Sequence, residues 1–582
     1  MRFLGTLLTG LAATASIAQA ARVVYDWEVT YTTANPDGLF ERQVVGVNGA
    51  WPPPAIHVSL NDTLVINVKN SLDIPTALHS HGMFQNNTVW MDGPVGVTQC
   101  SIPAGHSLTY EFNITQTGSF WIHSHYMGQY ADGLRAPLIL HNPEEPYKYD
   151  EDLVVPVSDW YHDNSANNLA IFMNVNNPTG AEPVPESGLI MDTINPNITF
   201  VPGKTYRLRL INMSAFSTFF ISIDGHDLDI IEVDGIYTER KTVDSIYLTA
   251  AQRISVLVTA KNSTELNYLF HADMDIDMFD ILPEDLVTNI TANIMYDASH
   301  SNFAESQDLG MGSEFDDIDL PPLYPASAVE PDQQVNLTFN FDVTTDGINR
   351  GMFNELPYLT PKVPTLNTVL SMGELATDLT VYGPQSQAII LDHLNMVEIV
   401  LNNLDAGNHP FHLHGHVFQV VARGDGVFMG DRSTVEWNNE NPTTRDTVLV
   451  PAESFTIIRF RADNPGVWIF HCHIEWHLET GLAVTFIEAP TVMQERMTLP
   501  EAFHEVCTAG GNPSTGNAAG KEGLDLKGAP GGITLIPDAF TAKGKGAMAA
   551  CIISALIGMG AIVLYASIDP EKKAKDMIAA QK

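Results

Sequence analysis

The chain contains little cysteine and little positive charge. Only four of its 582 residues are cysteines, at positions 100, 472, 507 and 551, which is too few for a fold held together by disulfides. Twenty-nine Lys and Arg residues stand against 69 Asp and Glu residues, and the formal net charge is −40. Solubility alone would be enough to explain a surface this negative. Such a surface would also attract cations and repel nucleic acid. We therefore expect no nucleic-acid partner.

Long hydrophobic runs are few, and both lie at the ends of the chain. The first, within residues 1–20, follows Arg2 and ends in Ala18-Gln19-Ala20, a pattern typical of a cleaved signal peptide. The second, residues 546–568, has no charge and as a helix would be about 35 Å long, enough to cross the roughly 30 Å hydrocarbon core of a membrane.

The flanking charges predict how such a helix would be oriented. Lys572, Lys573 and Lys575 follow the second run, and positive-inside bias places that tail in the cytosol. The prediction is a single-pass protein of the cell membrane with the large part of the chain before the helix outside the cell. N-x-S/T sequons fit a glycosylated secreted surface; they begin at Asn61, Asn86, Asn113, Asn197, Asn212, Asn262, Asn289 and Asn336.

Between the two runs the sequence predicts an all-β fold with an internal repeat. Short alternating runs rich in Val, Ile, Thr and Phe are separated by Gly, Pro, Asn and Asp turns. One strand recurs at residues 62–70, 204–212 and 396–403 and always ends in Asn. We expect three β-sandwich domains, residues 21–142, 143–301 and 302–490. Residues 491–545 then form a C-terminal segment, with a flexible Gly- and Pro-rich stalk from about residue 508.

Four His-x-His pairs mark the first and third copies of the repeat. Residues i and i+2 of a strand point to the same face, so each pair presents two imidazoles together. One pair alone is weak, but two from each of two matching repeats predict a multi-metal site. Imidazole binds copper, zinc, iron and nickel, so the pairs do not identify the metal. They are His79/His81, His123/His125, His412/His414 and His471/His473.

A cysteine between two histidines identifies the metal. Cys472 must point away from His471 and His473, towards a different ion, and His409 and His477 lie close enough in sequence to join it. This His₂Cys set is the blue-copper pattern, although a lone cysteine is more often a buried structural residue. Cys472 is also peptide-bonded to both neighbours. It would thus provide a through-bond electron path to a cluster whose eight imidazoles suit three copper ions.

The four motifs together resemble those of the multicopper oxidases. HSHG, WIHSH, HPFHLHGH and HCHIEWH match that family in order and spacing, from roughly Val23 to Glu488. The resemblance implies cupredoxin-like domains, four copper ions and the four-electron reduction of dioxygen to water. It assigns type 1 copper to His409, Cys472 and His477, type 2 copper to His79 and His412, and the type 3 pair to His81, His123, His125, His414, His471 and His473.

The same resemblance implies roles for other residues. Asp92 and Glu475 match acids that assist proton delivery to the cluster, although Asp92 could also be a simple turn residue. Leu482 falls at the axial position of the type 1 site, where a residue that cannot coordinate raises the potential. If the first and third domains must face each other to build the cluster, Cys100 and Cys507 could form a disulfide between them.

Three further acids indicate the reducing substrate. Glu182, Asp280 and Asp405 resemble those of fungal cell-surface ferroxidases that supply an iron permease. The resemblance implies Fe(II) and dioxygen as substrates and an iron permease in the same membrane as partner. We expect Asp405 to contact His409, and Glu182 to contact His477. The alternatives are a membrane-tethered laccase-type phenol oxidase and a copper-storage protein, which would need the ligands but not the Cys472 path.

Overall fold

The computed structural model describes residues 20–306, 316–536 and 542–581. The signal peptide predicted for residues 1–20 lies outside the described residues apart from Ala20. Residues up to Thr534 form one compact unit, and the residues from Leu535 onwards form a second. The first unit holds every β-strand named below.

The all-β prediction is confirmed, and the sheets follow one another along the chain in three pairs. Sandwich 1 has sheets of order β2-β1-β4-β6 and β3-β8-β7-β5. Its strands are β1 (Arg22–Ala34), β2 (Arg42–Val47), β3 (Ile56–Ser59), β4 (Thr63–Asn70), β5 (Leu78–His81), β6 (Ser107–Asn113), β7 (Gly118–Ser124) and β8 (Arg135–His141).

Sandwich 2 has sheets of order β10-β9-β12-β17-β14-β15 and β11-β19-β18-β13-β16. Its strands are β9 (Glu151–Trp160), β10 (Ser187–Ile190), β11 (Asn197–Thr199), β12 (Thr205–Asn212), β13 (Phe219–Ile223), β14 (Leu228–Val233), β15 (Ile236–Val243), β16 (Ser245–Leu248), β17 (Arg253–Thr259), β18 (Tyr268–Met274) and β19 (Asn289–Met295).

Sandwich 3 has sheets of order β21-β20-β23-β28-β25-β26 and β22-β30-β29-β24-β27. Its strands are β20 (Gln333–Val343), β21 (Asn349–Phe353), β22 (Ala388–Leu391), β23 (Met396–Asn403), β24 (His409–Leu413), β25 (Phe418–Asp425), β26 (Thr444–Arg445), β27 (Thr447–Val450), β28 (Ser454–Arg461), β29 (Gly466–Cys472) and β30 (Ala483–Glu488). The exact domain boundaries stay a prediction.

Helices are short in the first unit. The α-helices are α1 (Ser165–Phe172), α2 (Thr365–Ser371), α3 (Glu475–Thr480), α4 (Pro490–Arg496), α5 (Glu501–Ala509), α6 (Ala542–Ser567) and α7 (Pro570–Ala579). The 3₁₀ helices are Val89–Met91, Gln129–Asp132, Gly373–Thr377, Leu379–Tyr382, Pro384–Ser386 and Arg432–Thr434.

The recurring strand has the same place in all three sandwiches. β4, β12 and β23 each pair in parallel with the first strand of their own sandwich. The side-chain amide of the Asn that ends each copy donates to two backbone carbonyls, one within five residues and one more than thirty residues away. The repeated Asn is therefore a structural residue. In the second copy this leaves Asn212 fully buried, so that sequon is not accessible in the folded protein.

One hydrophobic core runs through sandwiches 1 and 3, and sandwich 2 has a core of its own. The shared core agrees with the expectation that the first and third copies of the repeat face each other. The disulfide between Cys100 and Cys507 is present and joins a loop of sandwich 1 to α5, which confirms the expected pairing.

The prediction of a flexible stalk from about residue 508 is wrong over much of its length. Residues 512–534, here named the C-terminal strap, are hydrogen-bonded to sandwich 3 and the loops around it. Asn367 Nδ2 donates to Ser514 O at 3.0 Å, Gln385 Nε2 to Ile533 O at 2.9 Å and Thr345 N to Thr534 O at 2.8 Å. Composition indicated flexibility because Gly and Pro do not form a core, but backbone hydrogen bonds do not need large side chains.

Helix α6 is the predicted membrane segment. It has 26 residues, a mean hydropathy of 2.4 over its most apolar window, and no buried residue in that window. It begins four residues before the predicted start and ends one residue before the predicted end. Its length and composition are sufficient to cross a membrane.

Candidate metal centre

The eight paired histidines come together where sandwiches 1 and 3 meet. In β5 and β7, His79 lies opposite His123, and in β24 and β29, His412 lies opposite His471. The two sets then interlock, because the His79 ring stacks on His414 at 3.9 Å and the His81 ring stacks on His412 at 3.7 Å between centroids. We name these residues the eight-histidine cluster. Seven of the eight side chains are buried, and His125 is half-buried.

Ligand atoms in the cluster group into sets of three. Within each set, the atoms that can bind a metal all lie within 4.8 Å of one another. The sets are His79, His81 and His412; His81, His123 and His473; His125, His414 and His471; and His79, Asp92 and His414. The second and third sets contain all six residues expected at the type 3 pair, three for each ion. The first contains both residues expected at type 2.

Unpartnered nitrogens show that these residues fit bound metal. The Nε2 atoms of His79, His123, His125, His412 and His473 are buried without a hydrogen-bond partner among the described residues. Buried polar groups normally have partners. On three of these rings, by contrast, Nδ1 is held by a backbone carbonyl, at 2.7 Å by Asp92, 2.9 Å by Ser124 and 2.9 Å by Asp446. One nitrogen fixed by the protein and one left free is the arrangement of a metal-binding imidazole.

Electrostatics keep these imidazoles neutral. Burial, and then the neighbouring rings, lower the pKa values of His81, His123, His125, His414 and His473 well below the ordinary histidine value. Burial and the adjacent His412 lower the pKa of His471 to about 3. A metal ligand must be deprotonated, so these six histidines have the protonation state that copper requires.

The second set of ligands, here named the His₂Cys site, is built by β24, β29 and α3. Cys472 Sγ lies 3.8 Å from His409 Nδ1 and 3.5 Å from His477 Nδ1, and the two imidazole nitrogens are 3.1 Å apart. All three side chains are fully buried. The ring of Phe341 stacks on His409 at 5.5 Å and lies 4.7 Å from His477. Cys472 Sγ and the two Nδ1 atoms are close enough together to bind one metal ion as a set of three ligands.

Two acids contact the outer nitrogens of this site, as expected from the sequence. His477 Nε2 lies 2.8 Å from Glu182 Oε1, and His409 Nε2 lies 3.0 Å from Asp405 Oδ2. The imidazoles are 1% exposed, whereas the side chain of Glu182 is 17% exposed and that of Asp405 is 33% exposed. Each acid therefore links a buried ligand to solvent. Burial alone would raise the pKa of Asp405, but the hydrogen bond with His409 lowers it to about 2.

Asp280 is near this pair but makes no direct contact with a ligand that the structure records. It is exposed, and partial burial followed by the charge of Glu182 raises its pKa. Phe279, beside it, packs on Phe216 at 5.4 Å, which brings the segment to the site. The role expected of Asp280 stays a prediction.

Of the two acids expected to deliver protons, Asp92 contacts the cluster directly, and Glu475 is two residues after its ligand His473. Asp92 is fully buried and its Oδ2 lies 2.8 Å from His414 Nδ1, so it is more than a turn residue. Glu475 Oε1 accepts from Gly128 N at 2.8 Å. Burial and the nearby Glu479 raise the pKa of Glu475 well above its ordinary value. A carboxyl group whose pKa is raised keeps its proton to higher pH, which suits a proton donor.

Sequence reasoning missed Asp446. Its carboxylate lies 3.3 Å from His81 Nε2 and accepts two hydrogen bonds from Arg253 at 2.7 and 2.6 Å. Burial would raise its pKa, but Arg253 holds the pKa well below the ordinary range. Asp446 is 365 residues from His81, and the Arg445-Asp446 pair is an ordinary sequence, so no local signal marks it.

Leu482, expected at the axial position, is fully buried next to the His₂Cys site. Its carbonyl accepts from Cys472 N at 3.1 Å and its own N–H donates to His477 O at 3.1 Å. These backbone contacts hold Leu482 beside two of the three ligands. Its axial role stays a prediction.

Comparison with known proteins gives one family. Family models described as multicopper oxidase match residues 28–145, 151–299 and 358–492. The chain is 44% identical over 579 residues to the iron transport multicopper oxidase fetC of Epichloe festucae, covering 98% of this chain and 93% of that one. It is also 44% identical to the iron transport multicopper oxidase fio1 of Schizosaccharomyces pombe, over 97% and 92%.

Solved structures agree. The crystal structure of Fet3p, a multicopper oxidase that functions in iron import, has a TM-score of 0.86 and 38% identity, covering 89% of this chain and 100% of that one. A laccase from Botrytis aclada has a TM-score of 0.75 and 30% identity, over 84% and 92%. The chain therefore belongs to the multicopper oxidases, oxidoreductases of cupredoxin-like fold that contain four copper ions.

Proposed function

We propose that this protein is a membrane-anchored ferroxidase, which oxidises Fe(II) to Fe(III) and reduces dioxygen to water in support of iron uptake. The observation that carries the proposal is the pair of contacts made by Glu182 with His477 and by Asp405 with His409. The names of the relatives, which are iron transport multicopper oxidases, support it.

The two acids give Fe(II) a place to bind and a route for its electron. Carboxylates stabilise the more highly charged Fe(III) product more than Fe(II), because the attraction grows with charge. An acid that binds iron and is hydrogen-bonded to a ligand imidazole joins the substrate to the His₂Cys site. Cys472 then continues the path through its peptide bonds to His471 and His473. Four Fe(II) ions supply the four electrons that, with four protons, turn one dioxygen into two waters.

Bound copper supplies the one-electron chemistry, and the chain holds the ligands and the protons. His409, Cys472 and His477 would hold type 1 copper. His79 and His412 would hold type 2 copper, and the other six histidines of the cluster would hold the type 3 pair. Asp92, through its contact with His414, and Glu475, whose pKa is raised, would supply protons to the cluster.

The test is a comparison of substrates. Glu182→Ala and Asp405→Ala should each lower kcat/KM for Fe(II) by roughly ten- to a hundredfold, the effect of losing one charge-assisted contact of about 1.5–3 kcal/mol. The double variant should lose more, though not necessarily the sum, because both acids hold one ion. Oxygen uptake with a phenol should persist, and blue absorption and copper content should stay normal.

Two results would contradict the proposal. If Fe(II) and phenol activities fall together, the acids merely support the copper ligands. If neither activity falls, the acids do not bind Fe(II), and the alternative function, a laccase-type phenol oxidase, replaces the ferroxidase. The similarity in structure to the Botrytis laccase supports that alternative.

The proposed location follows from α6. Its apolar sequence would span the cell membrane once, with residues 569–582 in the cytosol and the copper-binding unit outside, behind a cleaved signal peptide. Glycosidase treatment should increase the gel mobility of the protein, and protease added to intact cells should reach the copper-binding unit. A protein that resists both treatments would refute this orientation.

An iron permease in the same membrane is the proposed partner, because Fe(III) formed outside the cell needs a route inward. The two proteins should co-purify in mild detergent, and deletion of this protein should lower iron uptake. Normal uptake without the protein would remove the partner from the proposal.

A further inference from the structure

The segment that carries Glu182 has little regular structure of its own. Residues 177–182, here named the Glu182 loop, follow α1 and are only partly buried. A loop of this kind is mobile unless side chains fix it. The 2.8 Å contact between Glu182 and His477 therefore depends on whatever holds the loop.

The first hold is within the loop. Asn177 Nδ2 donates to Phe172 O and to Ala181 O, each at 3.0 Å, and Asn177 Oδ1 accepts from Ala181 N at 3.1 Å. These bonds close the loop on itself and attach it to the end of α1. They fix its shape, but they do not fix its distance from His477, which belongs to sandwich 3.

The second hold crosses between sandwiches. Asn349 Nδ2, on β21, donates to Pro178 O at 3.0 Å, across 171 residues of sequence. Gly180 makes this approach possible, because a Cβ atom there would lie 2.9 Å from Asn349 Cγ, and its φ of +74° is unfavourable for other residues. The oxygen of the same amide, Asn349 Oδ1, is buried without a partner among the described residues. An unpaired buried oxygen costs stability, so the Asn349 side chain is not placed here for stability alone.

The same strand also holds the histidine side of the contact. Arg350 Nη1 donates to Thr480 O at 3.3 Å, and Gly351 N donates to Thr480 Oγ1 at 3.1 Å. Thr480 is the last residue of α3, and its hydroxyl also donates to His477 O at 2.9 Å. Three consecutive residues of β21 therefore fix both the loop of Glu182 and the helix of His477.

We propose that Asn349 is a positioning residue for Fe(II) oxidation, which holds the Glu182 loop in register with α3 and so sets the preference for Fe(II) over a phenol. It acts through Glu182 and does not touch the iron. The inference rests on the proposed function, because Asn349 affects Fe(II) oxidation only if Glu182 binds Fe(II).

The experiment uses the full-length, copper-loaded protein. Asn349→Ala removes the donor to Pro178. Gly180→Ala keeps the donor but adds a Cβ atom that pushes the loop away from Asn349. Asn340→Ala is the matched control, since Asn340 is a half-buried Asn on β20 of the same hairpin, paired with Met352. Glu182→Ala is the reference variant. For each protein one measures kcat and KM with Fe(II) and with a phenol, the blue absorption, and amide hydrogen exchange of residues 179–182.

Asn349→Ala and Gly180→Ala should each lower kcat/KM for Fe(II) by about five- to tenfold, as expected for one lost hydrogen bond. Phenol oxidation and blue absorption should stay within about twofold, in keeping with a defect confined to the loop. Exchange of the loop amides should become faster, whereas Asn340→Ala should change nothing.

Other outcomes separate the two claims. If Glu182→Ala impairs Fe(II) oxidation but Asn349→Ala does not, Asn349 is not a positioning residue and the ferroxidase proposal stands. If Asn349→Ala lowers Fe(II) and phenol oxidation equally, or bleaches the blue colour, its role is general support of the His₂Cys site. If Glu182→Ala itself leaves Fe(II) oxidation unchanged, both proposals fail.

Discussion

The eight-histidine cluster and the His₂Cys site differ in how they reach solvent. The acids nearest the cluster, Asp92 and Asp446, are fully buried and contact its imidazoles. The acids nearest the His₂Cys site, Glu182 and Asp405, are partly exposed and join an imidazole to the surface. Sandwiches 1 and 3 enclose the cluster, whereas loops from sandwiches 2 and 3 border the other site. The eight-histidine cluster thus lies where the shared core is, and the two acids proposed to bind Fe(II) lie on loops at the protein surface.

The largest expected effect comes from breaking the link between the two sites. Cys472→Ser removes the thiolate that lies 3.5 and 3.8 Å from the two ligand imidazoles and that connects them to His471 and His473. Blue absorption should vanish, and oxygen uptake with either Fe(II) or a phenol should fall to background. Blue colour retained in this variant would contradict the assignment of the site.

A smaller effect is expected from a substitution that affects the eight-histidine cluster but not the His₂Cys site. Asp446→Asn keeps the size of the side chain but removes the charge that faces Arg253 and His81. Loss of such an outer contact typically costs ten- to a hundredfold in metal affinity or activity. Copper content and oxygen uptake should fall while the blue absorption remains. Equal loss of blue copper and cluster copper would show that the two sites are not independent.

The last expected effect is on stability and not on the copper chemistry, and it concerns the strap. A chain ending at residue 536 keeps the hydrogen bonds of the strap to Asn367, Gln385 and Thr345, and a chain ending at residue 508 loses them. Both lack α6 and should be soluble. The shorter chain should unfold with a free energy lower by about 2–4 kcal/mol, at roughly 1 kcal/mol for each lost bond. Denaturant titration followed by the blue absorption measures the difference, and identical curves would mean that the strap contributes nothing.

The ligands could be found from sequence because they follow local rules. Strand alternation places His471 and His473 on one face and Cys472 on the other, and the repeat shows which segments correspond. Asp405 is indicated by the resemblance to fungal ferroxidases, and its position four residues before His409 predicts the contact with that ligand. The ligand pairs need only the spacing of residues along one stretch of chain.

What could not be predicted depends on distant contacts. Asp446 meets His81, and Asn349 meets Pro178, only after separate sandwiches have packed, and neither residue lies in a distinctive motif. The strap was predicted wrongly because its composition resembles that of a linker. Its order comes from groups such as Gln385, which bonds both the N–H and the carbonyl of Ile533, and composition does not report such pairing.

The interlocked stacking of His79 on His414 and of His81 on His412 also constrains how the protein matures. Half of the cluster is synthesised by residue 125, but its partners come after residue 411, and contacts so far apart in sequence form late. A growing chain emerging from the ribosome therefore displays only half-sites. Copper can be captured in its final arrangement only when translation has passed His473 and the first and last sandwiches have closed on each other.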